Sequence, residues 1–139
     1  MSGTSNLASF AAYADAFEAS LADDDWARLE QYFGKNAICL PGDGTEAVGR
    51  SAVIEALRSS VETLERRCDT RELAQAPEIS ESGDTVTLKY SLKYTRQGVG
   101  EFVLSGYENI QYADGVIVRL EDVFDDPSAL QAWRSSIRD

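Results

Sequence analysis

At about residue 70 the spacing of apolar side chains changes from three or four to two, and this switch limits the possible folds more than any single motif does. Upstream, Leu7, Phe10, Ala14, Phe17 and Leu21 form a stripe that predicts a helix over residues 7–22, capped by Ser5 or Asn6. ADDD interrupts the pattern. WARLEQYF resumes it with Trp26, Leu29 and Phe33, predicting a short second helix that ends at Gly34. AICLP, residues 37–41, reads as a strand stopped by Pro41, and GDGTEAVG as a glycine-rich connection with room for a short strand around Ala47. Ile54, Leu57, Val61 and Leu64 then predict a third helix over residues 51–66.

Downstream the chain reads as strands. RELAQAPEIS is a weak one, interrupted by Pro77, which points to a sheet edge or a bulge. TVTLKYSLKYT alternates cleanly, with Val86, Leu88, Tyr90, Leu92 and Tyr94 on one face. EFVLSGYENIQY and VIVRLEDVFD complete four consecutive antiparallel strands, the last pair joined through Asp114-Gly115, a strong hairpin signal. Asp126 caps and Pro127 opens a closing helix carrying Leu130, Trp133 and Ile137. The layout is α+β, helices on one face of a mostly antiparallel sheet, within one domain of 139 residues whose first six residues are expected to be flexible.

The strand VRLEDVFDD, residues 118–126, places Asp122 in an apolar row with Val118, Leu120 and Phe124. If that row faces a pocket, desolvation raises the carboxyl pKa and makes it usable as acid or base. The competing structural reading pairs Asp122 with an arginine or with backbone N–H groups. On the preceding strand, either Phe102, Leu104, Gly106, Glu108 and Ile110 face inward, giving a second pocket acid with room at Gly106, or Val103, Ser105, Tyr107, Asn109 and Gln111 do. The first row is the more apolar, which favours it. Asp125 and Asp126 read as helix-capping residues.

Charge and residue usage exclude several classes. A formal net charge of −11 opposes nucleic acid and anionic membranes as partners. The three arginines of ERRCDTRE, residues 65–72, are interleaved with acids and read as a solvated helix end. There is no histidine, and Cys39 and Cys68 suit neither a metal site nor a disulfide framework, so reduced, inert thiols in a cytoplasmic protein are expected. No stretch resembles an export signal or a membrane span. No phosphate-binding glycine loop, dinucleotide fingerprint or calcium loop is present, so no cofactor and no metal are expected.

The first helix, DDDWARLEQYFGKNAICLPG, VGRSAVIEAL and the hairpin ADGVIVRLEDVFDDPSAL together resemble the nuclear transport factor 2-like superfamily, in its SnoaL-like and ketosteroid-isomerase-like branch. The resemblance covers nearly the whole chain. It implies a cone-shaped α+β barrel of the cystatin-like kind, its curved sheet wrapped around the N-terminal helices, forming a homodimer through the sheet and holding a small apolar or aromatic molecule. Asp122 resembles the pocket carboxylate of SnoaL-like cyclases and limonene-epoxide-hydrolase-like enzymes. The Arg and Asp that epoxide hydrolysis adds on the preceding long strand are replaced by Tyr90 and Leu92, which argues against that reaction. The ketosteroid isomerase positions fall on Leu40 or Pro41 and on Phe17, so Asp43 or Tyr13 would have to compensate.

Catalysis is therefore expected to rest on Asp122 and Glu108. The expected ligand-facing residues are Tyr13, Phe17, Trp26, Tyr90, Leu92, Tyr94, Leu104, Leu120 and Phe124. The function expected is small-molecule binding with cofactor-independent isomerisation, cyclisation or hydration. The alternative is a non-catalytic ligand-binding, protein-interaction or dimerisation module of the same fold.

Overall fold

A computed structural model describes residues 5–138. The flexible start expected at residues 1–6 lies outside the described residues as far as residue 4, whereas Ser5 and Asn6 form the cap and first turn of helix α1, Asn6–Asp23. The Ser5 hydroxyl accepts from the Ala8 amide at 3.1 Å, satisfying one of the free donors at the helix start. Asp24 ends the helix in a left-handed conformation, its N–H reaching the Ser20 carbonyl at 2.7 Å.

The segment after α1 departs from the expected α-helix. Ala27–Tyr32 is a 3-10 helix, and the chain is already extended at Phe33, where strand β1, Phe33–Leu40, begins. Trp26, Leu29 and Phe33 are all buried as their spacing requires, but a six-residue piece followed by a strand buries them as well as an α-helix would. Gly34 does not terminate a helix. It lies in β1, and a Cβ there would meet the Val116 side chain at an ordinary 3.5 Å.

Strand β2, Ala47–Val48, is followed by helix α2, Arg50–Thr63, and a 3-10 turn, Glu65–Arg67. The expected single strand around Pro77 is two: β3, Thr70–Leu73, and β4, Glu78–Ser82, both antiparallel to β5, Thr85–Arg96. Proline cannot donate to the ladder, so the edge breaks there. Strands β6, Gly100–Ala113, and β7, Val116–Phe124, form the long hairpin through Asp114 and Gly115, both at positive φ as its tight turn demands. Helix α3, Pro127–Ser136, starts at Asp126, whose carboxylate accepts from the Ala129 amide at 3.1 Å.

The sheet order is β2-β1-β7-β6-β5-β3, with β4 also on β5; only β1 and β7 run parallel. This is an α+β architecture with a curved, mostly antiparallel sheet. Its end strands β2 and β3 do not pair, so the sheet is not closed into a barrel and helices complete the enclosure.

Two apolar clusters lie on the inner face. One joins α1, α2 and β1 through Phe10, Leu29, Phe33, Val53 and Val61. The other gathers Leu130, Trp133 and Ile137 of α3 against Tyr94 and Leu104, with Trp133 stacked on Phe102 at 5.5 Å. Among the described residues no helix is long and apolar enough to cross a membrane.

Candidate functional site

Between the two clusters lies a cavity of about 220 Å³ whose walls come from α1, α2, the 3-10 turn after it, β3, β5, β6, β7 and α3. The β6–β7 register decides which acids face it. Glu108 stands directly opposite Asp122, flanked by the pairs Gly106↔Phe124 and Ile110↔Leu120, and both carboxyls line the cavity. Ile110 is fully buried and Leu104 nearly so, while Val103 and Tyr107 are exposed, so the inward row is the one containing Glu108.

The β7 row needs one correction. The register shifts between Gln111↔Arg119 and Tyr112↔Ile117, a bulge that leaves Val118 unpaired and turns Ile117 into the core beside Leu120. From Leu120 onward the alternation holds, which is why Asp122 still points inward. Gly106 does not leave room for a ligand. A Cβ there would sit 2.4 Å from the Val123 carbonyl oxygen, so glycine lets β6 and β7 approach closely beside the acid pair.

Of the residues expected to face a ligand, Tyr13, Phe17, Tyr90, Leu92, Tyr94, Leu104 and Phe124 line the cavity. Trp26 and Leu120 do not. Trp26 is packed behind Phe17 at 5.9 Å, its indole N–H donating to Asp24 at 2.6 Å, and Leu120 is completely buried in the first cluster. Periodicity assigns a residue to the inner face but cannot say whether that stretch of the face meets solid core or empty space.

The cavity also has a second polar end that the sequence did not point to. The Tyr94 hydroxyl donates to Glu65 at 2.9 Å, and Arg71 reaches Glu18 at 3.2 Å. Arg71 therefore belongs to the cavity wall rather than to a solvated helix end. Burial pushes the Glu65 carboxyl above the usual range, with the Tyr94 hydrogen bond acting against that shift. Arg134 of α3 also lines the cavity, and its Nε is buried without a partner among the described residues.

Burial dominates the electrostatics of the acid pair. It pushes Glu108 well above its ordinary value, and the adjacent Asp122 charge and a shared hydrogen bond push the same way. Burial also pushes Asp122 up, to about 6, opposed by the hydrogen bond from Glu108 and by the Arg134 charge. The two carboxyls therefore ionise in separate steps, and the form between them carries one proton, which the stronger upward push on Glu108 favours there. Tyr13 and Tyr90 are likewise held protonated, first by burial and then by the negative charge of the pair. Cys39, behind the pair, is pushed up to about 12 and is no thiolate nucleophile. Among the described residues no group of histidine, cysteine or acidic side chains is placed to hold a metal.

A measurable consequence is stability that falls with pH. Folded Glu108 keeps its proton where the unfolded chain has lost it, so the folded state binds more protons and loses stability as pH rises towards the raised pKa. Replacing Glu108 with glutamine is expected to flatten this decline, leaving a shallower loss of stability with rising pH than in the wild type. Urea unfolding of both proteins at pH 6, 7 and 8 measures it; parallel curves would mean that Glu108 titrates as a solvated acid does.

The fold has many solved counterparts. A protein from Bacillus subtilis provisionally assigned as an isomerase superposes with a TM-score of 0.70 at 17% identity, covering 96% of this chain and 97% of its own. One from Jannaschia provisionally assigned as a SnoaL-like polyketide cyclase gives 0.68 at 16%, covering 99% and 97%. TerC, crystallised with polyporic acid, gives 0.64 at 20%, covering 94% and 99%. At these identities the likeness shows the fold and not the reaction. No curated protein matches the sequence. The SnoaL-like domain family matches residues 10–107, which run from the first cavity-lining helix to the residue before Glu108, and the chain belongs to that family within the nuclear transport factor 2-like superfamily.

Proposed function

We propose that this protein binds a small apolar or aromatic carbonyl compound in its cavity and moves a proton on it without a cofactor, as an isomerase or cyclase would. The observation that supports this reading best is the geometry of two carboxyls, Glu108 and Asp122, facing one another inside an apolar cavity, where burial favours retention of a proton. Ionised Asp122 removes a proton from the carbon beside the carbonyl, and Glu108 passes its proton to the carbonyl oxygen. The C–H bond breaks and an O–H bond forms. The pair still holds one proton afterwards, now on Asp122, so its charge stays at −1 throughout. No new buried charge is created on the pair or on the enol, which is how a low-dielectric site keeps the barrier down. Return of the proton to a different carbon is isomerisation; attack of the enol carbon on a second carbonyl of the same molecule is cyclisation. At about 220 Å³ the cavity suits a ring system of two fused rings rather than four.

The test is deuterium exchange beside the carbonyl of 2-tetralone, followed by proton NMR in heavy water. The wild-type rate is expected to rise with pH through about 6, as Asp122 ionises, and then level off. The chain contains no histidine, so no imidazole can produce such a profile. Binding of 2-tetralone without exchange would favour a non-catalytic ligand-binding module, and absence of both would remove the cavity reading.

A further inference from the structure

Outside the cavity, and continuous with it through Pro41, Ser60, Phe124 and Arg134, runs a wider groove of about 730 Å³ between α2, α3 and the β1–β2 loop. Its lining differs in kind. Arg67, Arg134 and Arg138 line it from three positions in the chain, together with hydroxyl residues of α2 and α3 such as Ser59 and Ser135.

The charge pattern makes this groove unusual for the chain. Against a formal charge of −11, most cations elsewhere are neutralised locally: Arg28 by Asp23, Arg58 by Glu55, Arg66 by Asp24, Arg71 by Glu18, Lys93 by Glu101 and Arg119 by Glu121. Arg67, Arg134 and Arg138 form no ion pair among the described residues. The acid lining the groove, Asp43, is engaged by the amide and hydroxyl of Thr45, with Arg134 a weaker influence. Guanidinium groups that line one groove of an acidic protein without an ion pair offer what an anion needs: planar donors and local positive charge.

Resting on the reading of the cavity as the ligand site, we propose that the groove is the subsite for a carboxylate on the same ligand. The apolar body lies between Tyr13, Tyr90 and the acid pair. The carboxylate projects past Phe124 onto Arg134, at the junction, with Arg67 and Arg138 further out. The ligand class is then an aromatic keto acid of about two rings, of which a neutral ketone such as 2-tetralone represents the apolar body alone.

Calorimetric titration with 2-naphthylacetate, its methyl ester and citrate tests the assignment. The acid is expected to bind at least about tenfold more tightly than the ester, as charge-assisted hydrogen bonds allow. Arg134→Gln, and separately the double variant Arg67→Gln/Arg138→Gln, are expected to bring that ratio close to one. The double variant lies outside both apolar clusters, so it keeps the test open if Arg134→Gln perturbs folding. Equal binding of acid and ester by the wild type, or a ratio unchanged in both variants, overturns the carboxylate subsite and leaves the apolar cavity standing. Arginine-dependent binding of citrate with no binding of the ester upholds the anion site and removes the cavity reading. Failure of all three probes removes both.

Discussion

Asp122→Asn is expected to lower the 2-tetralone exchange rate by about 10²- to 10⁴-fold, the range that a positioned general base supplies. Asparagine matches aspartate in shape, and its side-chain carbonyl can still accept the Glu108 proton, so the cavity keeps its polar pairing. What disappears is the group that titrates at about 6. Unfolding cannot imitate this loss. Folded Asp122 holds its proton more tightly than the unfolded chain does, so its ionisation at pH 7 works against folding by about 3 kcal/mol, and the variant is expected to be at least as stable there. Binding of 2-tetralone measured alongside separates the roles. If affinity falls as far as the rate does, Asp122 holds the ligand and does not take its proton.

Gly106→Ala is expected to destabilise the fold by about 3 kcal/mol, the upper part of the range for overpacking. The added carbon would lie 2.4 Å from the Val123 carbonyl oxygen and 3.1 Å from the Phe124 Cα, and backbone cannot rotate away as a side chain can. The two strands must separate at the pair next to Glu108 and Asp122. Gly34→Ala is the internal comparison: its new carbon meets the Val116 side chain at 3.5 Å, without positive φ, and near-neutral stability is expected. Urea midpoints of the two variants measure the contrast, and equal losses would mean that strand glycines matter here for reasons other than contact.

The parts of this molecule that were legible in sequence are those whose cause is local. Helix α1, helix α2 and strands β5 to β7 announce themselves by period, and Asp114-Gly115 by turn chemistry. Period two also aligned Asp122 with an apolar row, because the bulge at Val118 lies upstream of it and does not disturb its facing. Residues whose roles depend on distant segments were not legible. Arg71 comes from an edge strand and Arg134 from the last helix, and they meet the cavity only because the sheet curves and α3 folds back over it. Trp26 and Leu120 show the converse error. Both carry the right residue type on an inward face, but they sit where the two layers touch rather than where they part.

The parallel pairing of β1 with β7 has a consequence for when the acid pair becomes unusual. Glu108 and Asp122 face one another across a hairpin closed by a two-residue turn, so their adjacency needs little ordering of the chain. The surroundings that strip water from them need far more, because β1 reaches β7 across most of the sequence and closing that long loop carries a large entropic cost. A chain with only the β6–β7 hairpin formed would hold two ordinary, solvated carboxylates side by side. The tightly held Glu108 proton is therefore a product of long-range assembly. In a refolding experiment, its uptake would report the joining of the chain's two ends rather than formation of the strands that bear the acids.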